Sequence, residues 1–302
     1  MQSFNSFIKE EAFLAEEAET LLEKLITFGG KAYPKFGNIV VMAGGAGSGK
    51  GFILSNLVGM EGKVFDVDEL KTLASKTPAI VKRIKSEMGV DLKDLASNLK
   101  NPENVGKLHQ IMGDYLNLDK RKEKSFYTSV LSAPADRKPN IIFDMTFKEL
   151  TKLQKVARDA EALGYDKKNI HIVWVVNDIE VAQQQNKARA RTVPSEILIN
   201  THRGAANTMG DIINMGNKLK KYMDGDIVFA FNKVGVDANL AKSDKDGKKI
   251  GMKGNTKGGS YVKDANYFYV KRAGKAPTPV DKLDKDIRSK IAGYVPKNVD
   301  WN

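Results

Sequence analysis

Asn38-Ile39-Val40-Val41-Met42-Ala43-Gly44-Gly45-Ala46-Gly47-Ser48-Gly49-Lys50-Gly51 decides the fold. Its first half is a short, uncharged apolar run, as a parallel strand buried on both faces requires. The glycines that close it match G-x-x-x-x-G-K, and Phe52-Ile53-Leu54-Ser55-Asn56-Leu57 then opens a helix. Strand, glycine-rich loop and helix in that order make a phosphate loop. Consecutive backbone N–H groups turn into one concavity, the helix N-terminus adds positive potential, and the lysine reaches the β- and γ-phosphates of a nucleotide. Gly44, Gly45, Ala46, Gly47, Ser48, Gly49, Lys50, Gly51 and Phe52 are the expected nucleotide contacts. The Ser or Thr that usually follows the lysine and holds Mg²⁺ is replaced by Gly51. Metal binding then has to lean on water and on a carboxylate elsewhere.

Outward from that loop, similar buried-strand runs recur at residues 63–67, 140–144, 169–176 and 226–231. Helical periodicity fills the intervals at about 50–59, 70–133 in several pieces, 147–163, 179–190 and 195–222. Strands that alternate with helices need crossover connections, so the expectation is a parallel sheet with helices on both faces. The interval between residues 70 and 135 is too long for one crossover, which predicts a helical insert over about 72–135. Residues 5–28 read as an amphipathic helix that Gly29-Gly30 ends, making 1–30 an N-terminal helix before a main domain of 31–232. Beyond Asn232 the pattern changes. Lys242–Ser260 is rich in Gly, Lys and Asp, and Tyr261-Val262 and Tyr267-Phe268-Tyr269-Val270 look like strands of a small appended unit. A last short helix is expected at about 281–293.

The chain has 302 residues, 41% hydrophobic and 28% charged, which is ordinary for a globular protein. No apolar run approaches the ~18 residues of a membrane span, so no membrane partner is expected. The acidic, helical N-terminus is unlike a signal peptide, and there is no cysteine. That excludes disulfides, thiolate metal sites and cysteine nucleophiles, and it fits a cytoplasmic protein. The net charge is +12. Residues 233–302 hold sixteen Lys and Arg against eight Asp, so two thirds of the excess sits in a basic C-terminal extension. Such asymmetry favours a polyanionic partner.

Chemistry-bearing residues cluster at three further places. A hydroxyl that attacks phosphorus needs a carboxylate to take its proton, and Asp66-Val67-Asp68-Glu69-Leu70-Lys71 follows the second strand run. Helix N-capping is the plainer role for Asp66 and Asp68. Asp144 ends the third run, where a carboxylate beside a phosphate loop can touch Mg²⁺ directly or through water, and Thr146 follows as a helix-cap candidate. Lys187, Arg189, Arg191 and then Val193-Pro194 form a basic segment before a helix, with Arg203 beyond. Arginine suits phosphate because its fixed planar donors pair with two oxygens at once.

An acidic residue, two intervening residues and a lysine after the second strand, here Asp68 to Lys71, together with the basic Val-Pro segment, resemble the polynucleotide-kinase and zeta-toxin group of P-loop kinases. The resemblance spans about residues 38–232. It implies a P-loop α/β three-layer sandwich with a parallel sheet, a helical insert and an arginine lid at about 186–203. It further implies Asp68 as general base, Asp66 and Lys71 as substrate contacts, Thr146 near the reacting phosphate, and Arg189 and Arg191 closing over ATP. Zeta toxins place an arginine upstream of the lid; residues 176–186 hold none, which leans toward the polynucleotide-kinase side. The expected activity is ATP- and Mg²⁺-dependent transfer of a γ-phosphoryl group to a hydroxyl of a nucleic acid. Alternatives are a free nucleotide or sugar-nucleotide as acceptor, or a non-catalytic ATP-sensing module that binds nucleic acid. Tyr261, Tyr267, Phe268 and Tyr269 are the candidate stacking surfaces on the basic extension.

Overall fold

Alternation along the strands settles where each layer lies. The structure is a computed structural model that describes residues 26–31, 34–58, 60–65, 74–188, 192–232, 265–299 and 301. Strand β1 (Ile39–Ala43) is buried at every position. Successive side chains point to opposite faces, so Ile39, Val41 and Ala43 enter one hydrophobic cluster while Val40 and Met42 enter another. Around it, β2 (Lys63–Phe65), β3 (Ile141–Met145), β4 (Ile170–Asn177), β5 (Ile227–Asn232) and β6 (Ala265–Lys271) form one sheet of order β2-β3-β1-β4-β5-β6. The first five are parallel. A helix beginning at the end of β1, α1 (Lys50–Asn56), covers the Val40–Met42 face through Ile53. The opposite face is covered by α6 (Leu150–Ala162), α8 (Ser195–Asn214) and α9 (Lys285–Tyr294). This is the expected three-layer α/β architecture.

Between β2 and β3 the chain forms the expected insert. Its helices are α2 (Pro78–Met88), α3 (Leu92–Ser97), α4 (Pro102–Gln110) and α5 (Leu118–Leu131). Proline occupies the first turn of α2 and α4, and the Asp91 and Asn101 side chains cap α3 and α4 by accepting amide N–H groups of Lys93 and Glu103. Ala74, Ile84, Leu92, Leu95, Leu108, Ile111, Met112 and Leu116 make a core separate from the two sheet clusters. The insert is tied to the main body where Tyr127 on α5 donates to Asp159 on α6 at 2.6 Å, and Lys155 pairs with both Asp159 and Glu123.

Two expectations need correcting. Ile26 and Phe28 are not helical: Ile26 bridges to Val58, Phe28 bridges to Lys31, and both are buried. Gly29 and Gly30, with φ of 58° and 76°, make the turn between Phe28 and Lys31 rather than end a helix. The rest of the expected N-terminal helix lies outside the described residues. The C-terminal strand is likewise no part of a small appended unit. β6 runs antiparallel to β5 as the sixth strand of the main sheet. Phe268 packs on Phe229 and Phe231, and Trp301 stacks on Trp174 with centroids 5.3 Å apart. Burying a tryptophan of roughly 200 Å² stabilises by about 5 kcal/mol at about 25 cal/mol/Å². Physical advantage therefore lies with docking these aromatics, which a solvated extension would leave in water. Lys242–Ser260 and Tyr261-Val262 lie outside the described residues. Among the described residues, no helix is long and apolar enough to cross a membrane.

Candidate functional site

The period-2 alternation that divides the core also builds the site. Register pairs Met42 with Asp144, so the Asp144 side chain emerges on the face that α1 covers. One step past the end of β1, Gly44 turns the chain into the loop, with Gly44, Gly47 and Gly49 at φ of 151°, 75° and 87°. The loop returns into α1 at Lys50. Its ammonium bonds to the carbonyls of Gly44 (2.9 Å) and Gly45 (3.4 Å) and lies 3.5 Å from Asp144 Oδ1. Lysine and carboxylate thus converge over the mouth of the loop.

The loop is held from beneath by residues that sequence reading missed. β4 and β5 both end on asparagine, and Asn177 and Asn232 are register partners. Asn177 Nδ2 donates to the carbonyl of Gly47 (3.2 Å) and Asn232 Nδ2 to that of Ser48 (2.6 Å). Those two bonds fix the Gly47–Ser48 and Ser48–Gly49 peptide planes, and the Ser48 N–H bonds the Gly45 carbonyl at 3.2 Å. At Gly49 a Cβ would sit 1.8 Å from Asn232 Nδ2, so the glycine is needed for close approach as well as for its left-handed backbone. α8 supplies two more contacts. Thr201 Oγ1 accepts the Ala46 N–H at 3.1 Å, and His202 Nε2 lies 2.9 Å from the Ala46 carbonyl. A carbonyl only accepts, so Nε2 carries the proton. Burial, and secondarily the nearby Lys50 charge, lower the His202 pKa to about 4 against the opposing bond to Ala46. The ring is neutral at ordinary pH. The signal available in sequence was an asparagine at the end of each of two apolar runs. For Thr201 and His202 there was none, since their partners lie about 155 residues away.

Three buried oxygens around the loop, Ser48 Oγ, Asn177 Oδ1 and Asn232 Oδ1, have no hydrogen-bond partner among the described residues. Buried polar atoms are normally satisfied, so their grouping here marks a place built for more than the chain itself. Phe147, buried and two residues beyond the end of β3, has φ of 56°. Positive φ is costly for an aromatic residue, and it falls in the turn that carries Thr146 away from the sheet edge. Thr146 itself is half-buried.

Gly51 is exposed, and a Cβ there would meet nothing within 4 Å. Its lack of a hydroxyl is a chemical difference, then, and no packing demands it. Phe52 is half-buried and packs against the α1-face core.

The remaining expected site residues divide. Asp66, Asp68, Lys71, Arg189 and Arg191 lie outside the described residues. Lys187 is exposed at the end of α7 (Ile179–Ala188). Arg203 is half-buried on α8 and donates to Asn200 Oδ1 at 3.0 Å. The described residues on either side of 189–191, where the lid is expected, are anchored. Asn186 exchanges two hydrogen bonds with the backbone of Val193, and Thr192 bonds the carbonyls of Leu99 and Lys100 at the end of the insert. A separate groove of about 770 Å³ lies farther along α8, between Asn207–Asp211 and Pro279–Asp281 over Trp301.

Fold and site together define a P-loop α/β protein, with the phosphate loop and the neighbouring-strand carboxylate on adjacent strands. No family model matches the sequence, and comparison with curated proteins gives no match. Solved structures similar to the chain include the following three. One is from the PezAT chromosomal toxin–antitoxin system of Streptococcus pneumoniae, at 15% identity over 76% of this chain and 77% of that one, TM-score 0.37. Another is the AvrRxo1-ORF1:AvrRxo1-ORF2 complex with sulphate ions, at 12% identity over 97% and 74%, TM-score 0.46. The third is the AvrRxo1-ORF1:-ORF2 complex with ATP, at 10% identity over 92% and 76%, TM-score 0.42. Likeness of this degree says nothing about activity; the site's own chemistry has to.

Proposed function

We propose that this protein is an ATP-dependent phosphotransferase that moves a γ-phosphoryl group onto a hydroxyl of a phosphate-bearing acceptor, with nucleic acid the favoured class. The observation that carries the proposal is the convergence of Lys50 and Asp144 over a loop whose Gly47 and Ser48 carbonyls are held by Asn177 and Asn232. That arrangement sets one ammonium and one carboxylate beside a glycine-rich turn at the N-terminus of α1, where an anion is favoured. Among the described residues no three His, Asp or Glu side chains gather as a metal cage. A single carboxylate plus water and phosphate oxygens is the usual environment of Mg²⁺, so Asp144 fits that role. Bound there, Mg²⁺ would help neutralise charge on the β- and γ-oxygens. In this reading Lys50 draws the same charge toward the loop, Asp68 takes the acceptor's proton, Asp66 and Lys71 orient the acceptor, and Arg189 and Arg191 close from the lid. The protein contributes positioning and preorganised electrostatics, which phosphoryl transfer chiefly needs.

A free nucleotide as acceptor has its own support. Phe268 and Tyr269, two of the aromatics expected to stack on bases, are engaged inside the fold: Phe268 against Phe229 and Phe231, Tyr269 through its hydroxyl to Thr27 and under Arg272. Transfer of labelled γ-phosphate from ATP to 5′-hydroxyl DNA and RNA, hydroxymethylated DNA, nucleosides, nucleotides and UDP-sugars separates the two. A polymer acceptor should lose labelling steeply as salt rises, because condensed counterions compete; a small acceptor should respond weakly. Asp68→Asn should abolish labelling and leave ATP binding intact. Binding of ATP with no acceptor labelled under any condition would remove the transferase and leave a nucleotide sensor.

A further inference from the structure

Both backbone polar atoms of Ala46 are bonded to side chains, and both side chains stand side by side on α8. The hydrogen bookkeeping there leaves a single solution. Thr201 spends its own proton on the Leu198 carbonyl at 2.7 Å, so its oxygen is an acceptor for the Ala46 N–H. His202 spends its single proton on the Ala46 carbonyl. The peptide planes on either side of Ala46 are therefore both set by α8. Steric fit agrees: a Cβ at position 45 would lie 2.1 Å from His202 Cδ2, so only glycine lets the imidazole lie flat on the loop. α8 is also the helix that follows a segment fixed to the insert. It begins at Ser195, three residues after Thr192, whose bonds to Leu99 and Lys100 fix that segment to the insert.

We propose that Thr201 and His202 are positioning residues that hold the phosphate loop at Ala46 in its triphosphate-binding shape, and so make ATP binding depend on the placement of α8. This rests on the ATP-dependent reading above. Neither side chain touches the reacting atoms; each acts through the backbone of Ala46. A loop freed at Ala46 rotates its peptide planes and no longer offers its amides in register with the phosphates. The loss falls on ATP binding and leaves the acceptor's side of the reaction alone.

The test uses the full-length protein and two pairs of variants. His202→Phe keeps a flat ring against Gly45 and removes the donor; His202→Gln keeps an N–H at similar reach. Thr201→Val keeps the shape and removes the acceptor; Thr201→Ser keeps the oxygen. ATP affinity is measured by calorimetry, and KM for ATP and for the acceptor by labelled phosphate transfer, with melting curves to establish folding. Loss of one buried hydrogen bond predicts about a tenfold weaker ATP affinity for the Phe and Val variants. The Gln and Ser variants should stay within about threefold of wild type, the standing uncertainty of such contributions. KM for the acceptor should not move. If the Phe and Val variants bind ATP as tightly as wild type while folded, or if Gln and Ser lose as much as Phe and Val, the clamp is wrong. Wild-type protein that binds no ATP at all would remove the ATP reading itself, and the clamp with it. Should one variant of a pair fail to fold, the other pair decides.

Discussion

The two ends of the parallel sheet are built from the same residue types and treat them in opposite ways. At the end where the strands begin, Asn38, Asn140, His171, Asp226 and Lys271 are all buried. Asn140 Oδ1 accepts the Asn38 N–H at 3.0 Å and its Nδ2 donates to Pro34 and Glu61 carbonyls. His171 Nε2 lies 3.3 Å from Asn38 Oδ1, and its Nδ1 lies 2.9 Å from the Asp226 amide. The Asp226 carboxylate accepts the amides of Gly29 and Ala273. Burial alone would raise its pKa, but His171 and those amides outweigh it and hold the carboxyl below its ordinary range. Lys271 Nζ reaches four oxygens, of Asp224, Gly225 and Arg272. At the end where the strands stop, asparagine, serine and histidine are again buried, yet Ser48, Asn177 and Asn232 each keep an oxygen with no partner among the described residues. A saturated polar network rigidifies a fold. One that is incomplete around a loop of amides is a site. The contrast teaches where to look for function: in which end leaves its hydrogen bonds unfinished, more than in residue type.

Three substitutions or conditions press on that contrast, in falling order of effect. Lys50→Met should cut phosphoryl transfer by on the order of a hundredfold or more, the scale of losing one preorganised charge at the transferring group. Its melting temperature should stay near wild type, because the lysine is bonded to a loop and not to the core; steady-state labelling with a parallel melt checks both. Lys271→Met should do the reverse. It takes the ammonium from the Asp224 carboxylate and three carbonyls and should cost about 3 kcal/mol in urea unfolding, while the folded fraction binds ATP with wild-type affinity. A loss of ATP affinity there would mean that the two ends are coupled after all.

The third test is pH. His202 has its folded pKa lowered to about 4 from 6.5, so the unfolded chain binds the extra proton first. Stability from keeping this ring neutral is fully present above pH 6.5 and is lost as pH falls toward 4, on the order of 3 kcal/mol over that window. Asp226, also held low, loses its contribution in the same downward direction but at more acidic pH. Denaturant melts of wild type and His202→Gln between pH 7 and 4 should show the flatter dependence in the variant. Parallel curves would place the acid sensitivity at the saturated end instead.

Much of this was legible before any fold was drawn. The run 38–51 specified strand, loop and helix because each signal is local: a buried strand needs consecutive apolar residues, and the turn needs glycine. Asp144 was found the same way, as a carboxylate at the end of an apolar run. β6 was found as a strand and misplaced as a unit, because alternation reports a strand without reporting its neighbour. The 5–28 helix was carried too far at its C-terminal side for a related reason. Ile26 and Phe28 satisfy a helical spacing, yet their burial against Val58 and the sheet core outweighs local propensity.

By itself, then, the amino-acid order determined the kind of site: a glycine turn with a lysine, a carboxylate one strand over, a parallel sheet to hold them. Only the tertiary structure decided what holds the loop still. Thr201, His202, Asn177 and Asn232 act on residues that lie 130 to 184 positions away along the chain. Hydrogen bonds across such distances follow from how layers pack, and packing leaves no periodic trace near either partner.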